Sequence, residues 1–174
     1  ARDYLLAGLL DRSEELLMDM IAKSGPLKNE SRKLLLEIFE QGKEWRKAIE
    51  IAEMLASGTE TEHFEEAISQ YHCDIAEEYL GSNRFDDARS ALSDAMGHDA
   101  RNARVSLLVG KLEFEQGNYE EATRSLMRIT DQRAIYVPES LELLARSYEA
   151  SGADPQALHD YLKACLEIVP SISI

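Results

Sequence analysis

Apolar residues recur along this chain with the spacing of helices that bury one face. The segments 34–39, 74–79, 107–114 and 143–148 carry apolar residues three, four and seven positions apart, which indicates amphipathic helices. Each segment is followed by a short polar or glycine-containing stretch, reading QGKE, GSNR, EQGN and SGAD in turn. The pattern therefore predicts a series of helix–turn–helix units.

A second pattern recurs about every 34 residues. The stretch NRFDDARSAL runs from Asn83 to Leu92, and GNYEEATRSL restates it 34 residues later, from Gly117 to Leu126. A period near 34 residues with a helix–turn–helix unit is the signature of the tetratricopeptide repeat. One small residue marks each unit, at intervals of 35, 40, 34 and 35 residues: Ser13, Ala48, Ala88, Ala122 and Ala157.

The predicted fold class is all-α, a right-handed superhelical solenoid of antiparallel helix pairs. The small residue of each unit is expected where two helices cross closely, because a larger side chain would push them apart. An aromatic residue at the start of the second helix fills the gap to the first, and a later aliphatic residue packs against the next unit. The residues predicted to pack the repeats are Ser13, Trp45, Ala48, Phe85, Ala88, Leu92, Tyr119, Ala122, Leu126, Ala157 and Tyr161.

The spacing also predicts how the chain is divided. The 40-residue interval indicates an extended helix through EHFEEAISQYHCDIAEEYL, residues 62–80. Because the sequence begins inside a helical pattern, we expect it to be a piece of a longer protein whose N-terminal edge would support weak dimerisation. The prediction is one array over residues 1–174, with a partial repeat at 1–25 and full repeats at about 29–58, 62–100, 103–134 and 138–170.

The charge of the chain narrows the range of partners. The formal net charge of -14 argues against a surface for nucleic-acid phosphates, which requires a basic patch. Much of the excess negative charge lies between Thr59 and Ala100, a range that contains 11 acidic residues and only two arginines. Two interpretations stay open for this region: a solvated acidic face, or a patch that steers a basic partner. No apolar run approaches the roughly 20 residues of a membrane span, so no membrane contact is expected from this segment itself.

The titratable residues do not suggest a catalytic or metal site. Cys73 and Cys165 lack the CxxC spacing of a zinc site, which favours a core or groove position in a reducing compartment. Glu60 and His63 have the Glu-x-x-His spacing of di-iron bundles, but a second copy and two further glutamates are missing. The sequence also contains no glycine-rich phosphate loop and no H-E-x-x-H. We therefore predict no catalytic residue, no metal, no cofactor in this chain and no enzymatic activity.

A groove lined by the first helix of each repeat is the predicted binding surface. Lys111 and Arg146 share one position in neighbouring repeats, where they would either cradle an acidic peptide or remain solvated cations. Glu37, Glu77, Lys111 and Arg146 occupy the position that holds asparagine in repeats that clamp a chaperone's C-terminal carboxylate, which argues against such a clamp. The predicted groove residues are Lys33, Glu37, Gln41, Gln70, Cys73, Glu77, Arg104, Leu107, Lys111, Phe114, Glu142 and Arg146.

Four segments together resemble the bacterial lipopolysaccharide assembly protein B family. They are RDYLLAGLLDRSEELL (2–17), LLLEIFEQGKEWRKAIEIAEML (34–55), CDIA (73–76) and ARVSLLVGKLEFEQGNYEEATRSLMRI (103–129). Any one of them alone would indicate only a tetratricopeptide repeat. Their order and spacing make the resemblance specific.

The resemblance implies an adaptor of lipopolysaccharide biosynthesis in Gram-negative bacteria. Members of the family are anchored in the inner membrane, with a cytoplasmic repeat array and a zinc-binding, rubredoxin-like module that this sequence lacks. The implied partners are the lipid A pathway deacetylase, the membrane protease FtsH that degrades it, and a lipopolysaccharide-sensing inner-membrane protein that restrains the adaptor. The alternative is a different tetratricopeptide scaffold or chaperone for cell-envelope or secretion assembly.

Overall fold

The computed structural model describes residues 2–22, 27–57, 61–132 and 137–168, and these residues form helices joined by short turns. No strand occurs in the described ranges, so the all-α prediction is confirmed. The helices are α1 (Arg2–Ala22), α2 (Lys28–Gly42), α3 (Trp45–Ala56), α4 (Thr61–Gly81), α5 (Phe85–His98), α6 (Ala103–Glu115), α7 (Tyr119–Met127), α8 (Ile129–Gln132), α9 (Val137–Ser151) and α10 (Pro155–Ile168).

The chain divides into two compact units, residues 1–71 and 72–174. The first unit contains α1 to α3 and the first half of α4, and the second contains the rest of α4 and α5 to α10. The 21-residue length of α4 confirms the extended helix expected from the 40-residue interval. The helix bounds do not test the predicted bounds of the repeats, which stay a prediction.

Four turns share a residue with left-handed backbone geometry. In three of them, the N–H of the next residue donates to the carbonyl five residues back, at 2.8–2.9 Å, which closes the end of the preceding helix. Each left-handed residue lies five positions before one of the small residues Ala48, Ala88, Ala122 and Ala157. The turns therefore recur at the same intervals as the sequence pattern. The left-handed residues are Lys43, Asn83, Gly117 and Gly152, with φ of 56°, 55°, 79° and 68°.

The core of the first unit lies between α2, α3 and the first half of α4. Leu35 and Phe39 of α2 are buried against Ala48 of α3, with exposed fractions of 2% or less. Trp45 stacks on Tyr71 with ring centroids 6.0 Å apart, and the Tyr71 hydroxyl donates a hydrogen bond to a carboxylate of α2. The aromatic residue that begins α3 therefore stacks on a side chain of α4 and packs against the core cluster, and its role in filling the gap to α2 stays a prediction.

The second unit depends on a close approach of α6 and α7. A Cβ atom added to Gly110 would lie 2.5 Å from Cδ2 of Leu126, which is closer than two carbon atoms pack. Ala122, one turn before Leu126, is fully buried. The two helices can therefore cross at this distance because α6 has a glycine at the contact.

The remaining packing residues differ in how far they are buried. Ala88, Leu92 and Leu126 are buried, with exposed fractions of 0%, 2% and 0%. Ala157, at the equivalent position of α10, is exposed. The small-residue position is therefore sterically constrained in α3, α5 and α7, whereas on α10 it faces solvent. Half-buried positions are occupied by Ser13, Trp45, Phe85, Tyr119 and Tyr161.

We predict that Ala122→Leu lowers the free energy of unfolding by about 1–3 kcal/mol, because the longer side chain overpacks the α6–α7 crossing. The measurement is urea denaturation followed by far-ultraviolet circular dichroism.

Ala157→Leu is the matched control, since the same substitution at the exposed position should change stability by less than about 0.5 kcal/mol. Equal effects of the two substitutions would contradict the assignment of Ala122 to a tight crossing.

Candidate functional site

In the first unit, the predicted groove residues lie on α2 and on the first half of α4. Glu37 and Gln41 are exposed on α2. Lys33 on α2 and Gln70 on α4 are half-buried, and both interact with other groups of the chain. Glu37 and Gln41 are therefore the accessible members of the set in this unit.

In the second unit, two predicted groove residues belong to the core. Cys73 has an exposed fraction of 0% and Leu107 of 2%. Leu107 packs with Leu126 and Leu144, and the Asn102 side-chain nitrogen lies 3.9 Å from the Cys73 sulfur. These two side chains contribute to packing rather than to an accessible surface, because the buried arcs of α4 and α6 extend further than the repeat position indicates.

Arg104 is held by two acids of its own unit. Its Nη2 atom donates to Asp74 Oδ1 at 2.7 Å and to Glu77 Oε2 at 2.6 Å, so it links the start of α6 to α4. Burial would lower the pKa of Arg104, but the hydrogen bonds to the two carboxylates outweigh it and raise that pKa above its ordinary value. A cation paired in this way is a structural tie and offers little charge to a partner.

A second group of side chains joins α6 to α9 and faces solvent. Lys111 Nζ lies 3.8 Å from Glu139 Oε1, with 41% and 56% of the two side chains exposed. The Arg146 guanidinium lies over the Phe114 ring, 4.7 Å from its centroid, and Arg146 is exposed. We call Lys111, Phe114, Glu139 and Arg146 the α6–α9 surface.

The α6–α9 surface is suited to a carboxylate. A guanidinium within about 6 Å of an aromatic face is attracted to it and loses some of its freedom, while its N–H donors remain able to bind an acid. No ion pair of Arg146 occurs with the described residues, and the Lys111–Glu139 pair is long and exposed. Phe114 is also fixed by an edge-to-face contact with Tyr119, at 5.4 Å between centroids. The arrangement presents Arg146 on a partly accessible aromatic ring, with Lys111 one turn before that ring on α6.

The sequence did not reveal a second charged cluster in the same unit. Glu113 of α6 is buried, with 5% of its side chain exposed, and it accepts hydrogen bonds from Arg89 of α5 and Asn118. Burial alone would raise the pKa of Glu113, but these hydrogen bonds outweigh it and hold the pKa below its ordinary value. The sequence does contain one signal for this cluster. Glu113 lies on the apolar side of the helical pattern LLVGKLEF, and a buried acid requires a partner for its charge. The cluster borders a polar cavity of about 660 Å³ that Tyr119 and Arg124 also line.

The cysteines and histidines occupy separate environments. Cys73 and Cys165 are both free and buried, and burial raises the pKa of the Cys73 thiol to about 12. His63 is exposed at the start of α4, and Glu60 lies outside the described residues. Across the described ranges, no three or more His, Cys, Asp or Glu side chains are grouped so as to hold a metal ion. Among the same residues, no helix has the length and apolar character needed to span a membrane.

Comparison of the sequence with curated proteins finds lipopolysaccharide assembly protein B. The protein of Escherichia coli K12 is 32% identical over 152 residues, which is 87% of this chain and 38% of the relative. The protein of Haemophilus influenzae is 32% identical over 149 residues, which is 86% of this chain and 37% of the relative. The resemblance read from the four segments is therefore confirmed, and the chain spans less than two fifths of the length of these relatives.

The repeat family and the fold are supported by two further comparisons. The family model of the tetratricopeptide repeat matches residues 73–138. The crystal structure of MamA is similar with a TM-score of 0.52 at 15% identity, covering 95% of this chain and 91% of the other. The structure of BtubC from P. vanneervenii gives 0.55 at 16% identity, covering 98% and 78%. At these identities the likeness concerns the fold alone, and it confirms the all-α tetratricopeptide class.

We predict that Glu113→Gln lowers the free energy of unfolding by about 1–2 kcal/mol at pH 7, because a neutral amide holds Arg89 less strongly. The folded-state pKa of Glu113 is depressed, so its stabilisation is complete above the carboxyl pKa of the unfolded chain, about 4.3, and is lost as the pH falls through the folded-state value. The measurement is urea denaturation between pH 7 and pH 3.

The variant should therefore lose less stability than the parent over this acid range. Glu121→Gln removes an exposed carboxylate that pairs with Arg124 one turn away, and it should leave the pH profile almost unchanged. Parallel profiles for the parent and Glu113→Gln would show that the buried carboxylate is not stabilised by its charge.

Proposed function

Since this chain is a tetratricopeptide-repeat homologue of lipopolysaccharide assembly protein B, we propose that it is an adaptor in the control of lipopolysaccharide synthesis. In this proposal it binds the lipid A pathway deacetylase and presents it to the membrane protease FtsH. It works at the cytoplasmic side of the inner membrane of a Gram-negative bacterium, where a lipopolysaccharide-sensing membrane protein restrains it. Because the chain spans about 38% of its relatives, the membrane anchor and the zinc-binding module are proposed only for the whole protein.

A role without catalysis is supported by what the perturbed titratable groups do. Perturbed pKa values are common at active sites, but structural ion pairs produce them as well. Arg104 and Glu113 are each engaged by partners on a neighbouring helix. The Cys73 thiol, with its pKa raised to about 12, is a poor nucleophile at neutral pH. The chemistry of these described side chains is consistent with packing and recognition.

The α6–α9 surface is the proposed contact for a partner, and the observation that carries this proposal is the state of Arg146. Arg104 is already neutralised by two acids, whereas Arg146 is exposed and stacked on Phe114. An acidic side chain of the partner would bind Arg146 and Lys111, and an apolar side chain beside it would contact the Phe114 ring. An acidic segment of the deacetylase or of FtsH is the proposed ligand.

We predict that the double substitution Lys111→Glu with Arg146→Glu weakens binding of the partner at least tenfold, because it replaces two attractive charges with two repulsive ones. The measurement is binding of the purified deacetylase and of the cytoplasmic part of FtsH, each titrated separately against the immobilised chain.

Arg124→Glu with Arg128→Glu is the matched control, since it makes the same change in net charge at exposed positions on and just after α7. Both double variants should keep the parent's circular dichroism spectrum. Equal weakening by the two double variants would show that the effect comes from net charge and not from the α6–α9 surface. Binding of neither protein by the parent chain would contradict the adaptor role of this segment and favour a scaffold for another envelope or secretion assembly.

A further inference from the structure

An open apolar groove lies between α1 and α2 in the first unit. Leu16 and Leu17 of α1 and Leu34 and Ile38 of α2 line it, and its volume is about 380 Å³. Leu16 is 61% exposed and Leu34 is 50% exposed. Large aliphatic side chains that remain exposed within one concavity are characteristic of a binding surface, and this volume is within the range of about 300–1,000 Å³ for ligand pockets.

The groove exists because α2 carries two apolar stripes where packing requires one. Leu35 and Phe39 are four residues apart, have exposed fractions of 0% and 2%, and form part of the core of the unit. Leu34 and Ile38 have the same spacing but begin one residue earlier, so they lie about 100° around the helix and line the groove instead. The second stripe is therefore not used by the core of its own unit.

The charge at the edge of the groove is negative. Glu37 is the charged residue among those that line it. Nearby acids are engaged within the unit, since Glu40 accepts a hydrogen bond from Tyr71, and Glu14 pairs with Lys47. Within the described residues, the Glu37 side chain makes no hydrogen bond or ion pair, and Glu37 is exposed. The groove therefore offers one carboxylate beside its aliphatic floor.

We propose that this groove binds a peptide segment with two aliphatic side chains within one helical turn of each other and an adjacent lysine or arginine. The aliphatic side chains would cover Leu16 and Leu34 and remove them from water, which supplies the driving force. The cation would bind Glu37 and fix the direction of the segment. This site is separate in chemistry from the α6–α9 surface, and it goes beyond the adaptor role without depending on it.

The test is selection from a random dodecapeptide library displayed on phage, with the full 174-residue chain as bait. The expected result is enrichment of sequences with paired aliphatic residues followed or preceded by lysine or arginine. A synthetic copy of the most enriched sequence is then titrated by fluorescence anisotropy. Enrichment of acidic sequences only, or no enrichment over an unrelated bait, would overturn the proposal.

Three variants locate the binding. Leu34→Ser should weaken binding of the enriched peptide about tenfold. Glu37→Lys should also weaken binding of this peptide, and it should change the preferred flanking residue from a cation to an acid. Met54→Ser is the matched control, because Met54 is 44% exposed on α3 of the same unit and does not line the groove. Equal binding by the parent and Leu34→Ser would place the peptide elsewhere and contradict the proposal.

A second copy of the chain is the competing occupant. If light scattering shows that the parent is a dimer at the concentrations used and that Leu34→Ser is a monomer, the groove is a self-association surface and the peptide proposal is overturned. If the parent chain is a monomer, or if Leu34→Ser remains a dimer, the chain does not self-associate through the groove. Together with the titration, either result supports the peptide proposal.

Discussion

The distance at which α6 and α7 cross is set by the absence of a side chain at Gly110. The Leu126 methyl group occupies the space in which a Cβ would lie, and Ala122 is buried one turn earlier. Because a side chain at Gly110 would collide with Leu126, the crossing fixes α6 relative to α7. Lys111 follows Gly110 directly, and Phe114 lies one turn further along α6. The two residues that α6 contributes to the candidate site therefore lie next to this crossing.

The same unit shows that a strongly acidic chain can keep an exposed arginine outside the ion pairs of the described residues. Its cations have different partners. Arg104 and Arg89 are bound by acids on neighbouring helices, whereas Arg146 stacks on an aromatic ring. The interaction between exposed charges is screened over a Debye length of about 8–10 Å at physiological salt. The groups within that distance of a ligand therefore decide its affinity more than the net charge of -14 does. Net charge affects the approach of a partner, and local pairing determines the contact.

The sequence predicted the features that depend on the spacing of residues along the chain. The 34-residue period located the buried position of Ala122, because close helix crossings demand a small residue at a fixed place. It could not tell that Ala157 is exposed or that Leu107 is in the core, since burial depends on which neighbouring surface covers each helix. The contact between Arg89 and Glu113 joins residues 24 positions apart on different helices. Such pairing follows from the packed structure, and a periodic pattern contains no information about it.

An adaptor that holds two proteins together needs surfaces that do not compete for the same partner. As proposed, the α6–α9 surface would attract a carboxylate and repel a basic segment through Lys111 and Arg146. The groove of the first unit would, on the same reasoning, attract an aliphatic segment with a cation and repel an acidic one through Glu37. Specificity of this kind depends on repulsion as much as on attraction, because apolar contact alone discriminates weakly between peptides. Opposite charges at two sites would thus let one chain bind two partners together, each partner being excluded from the site of the other.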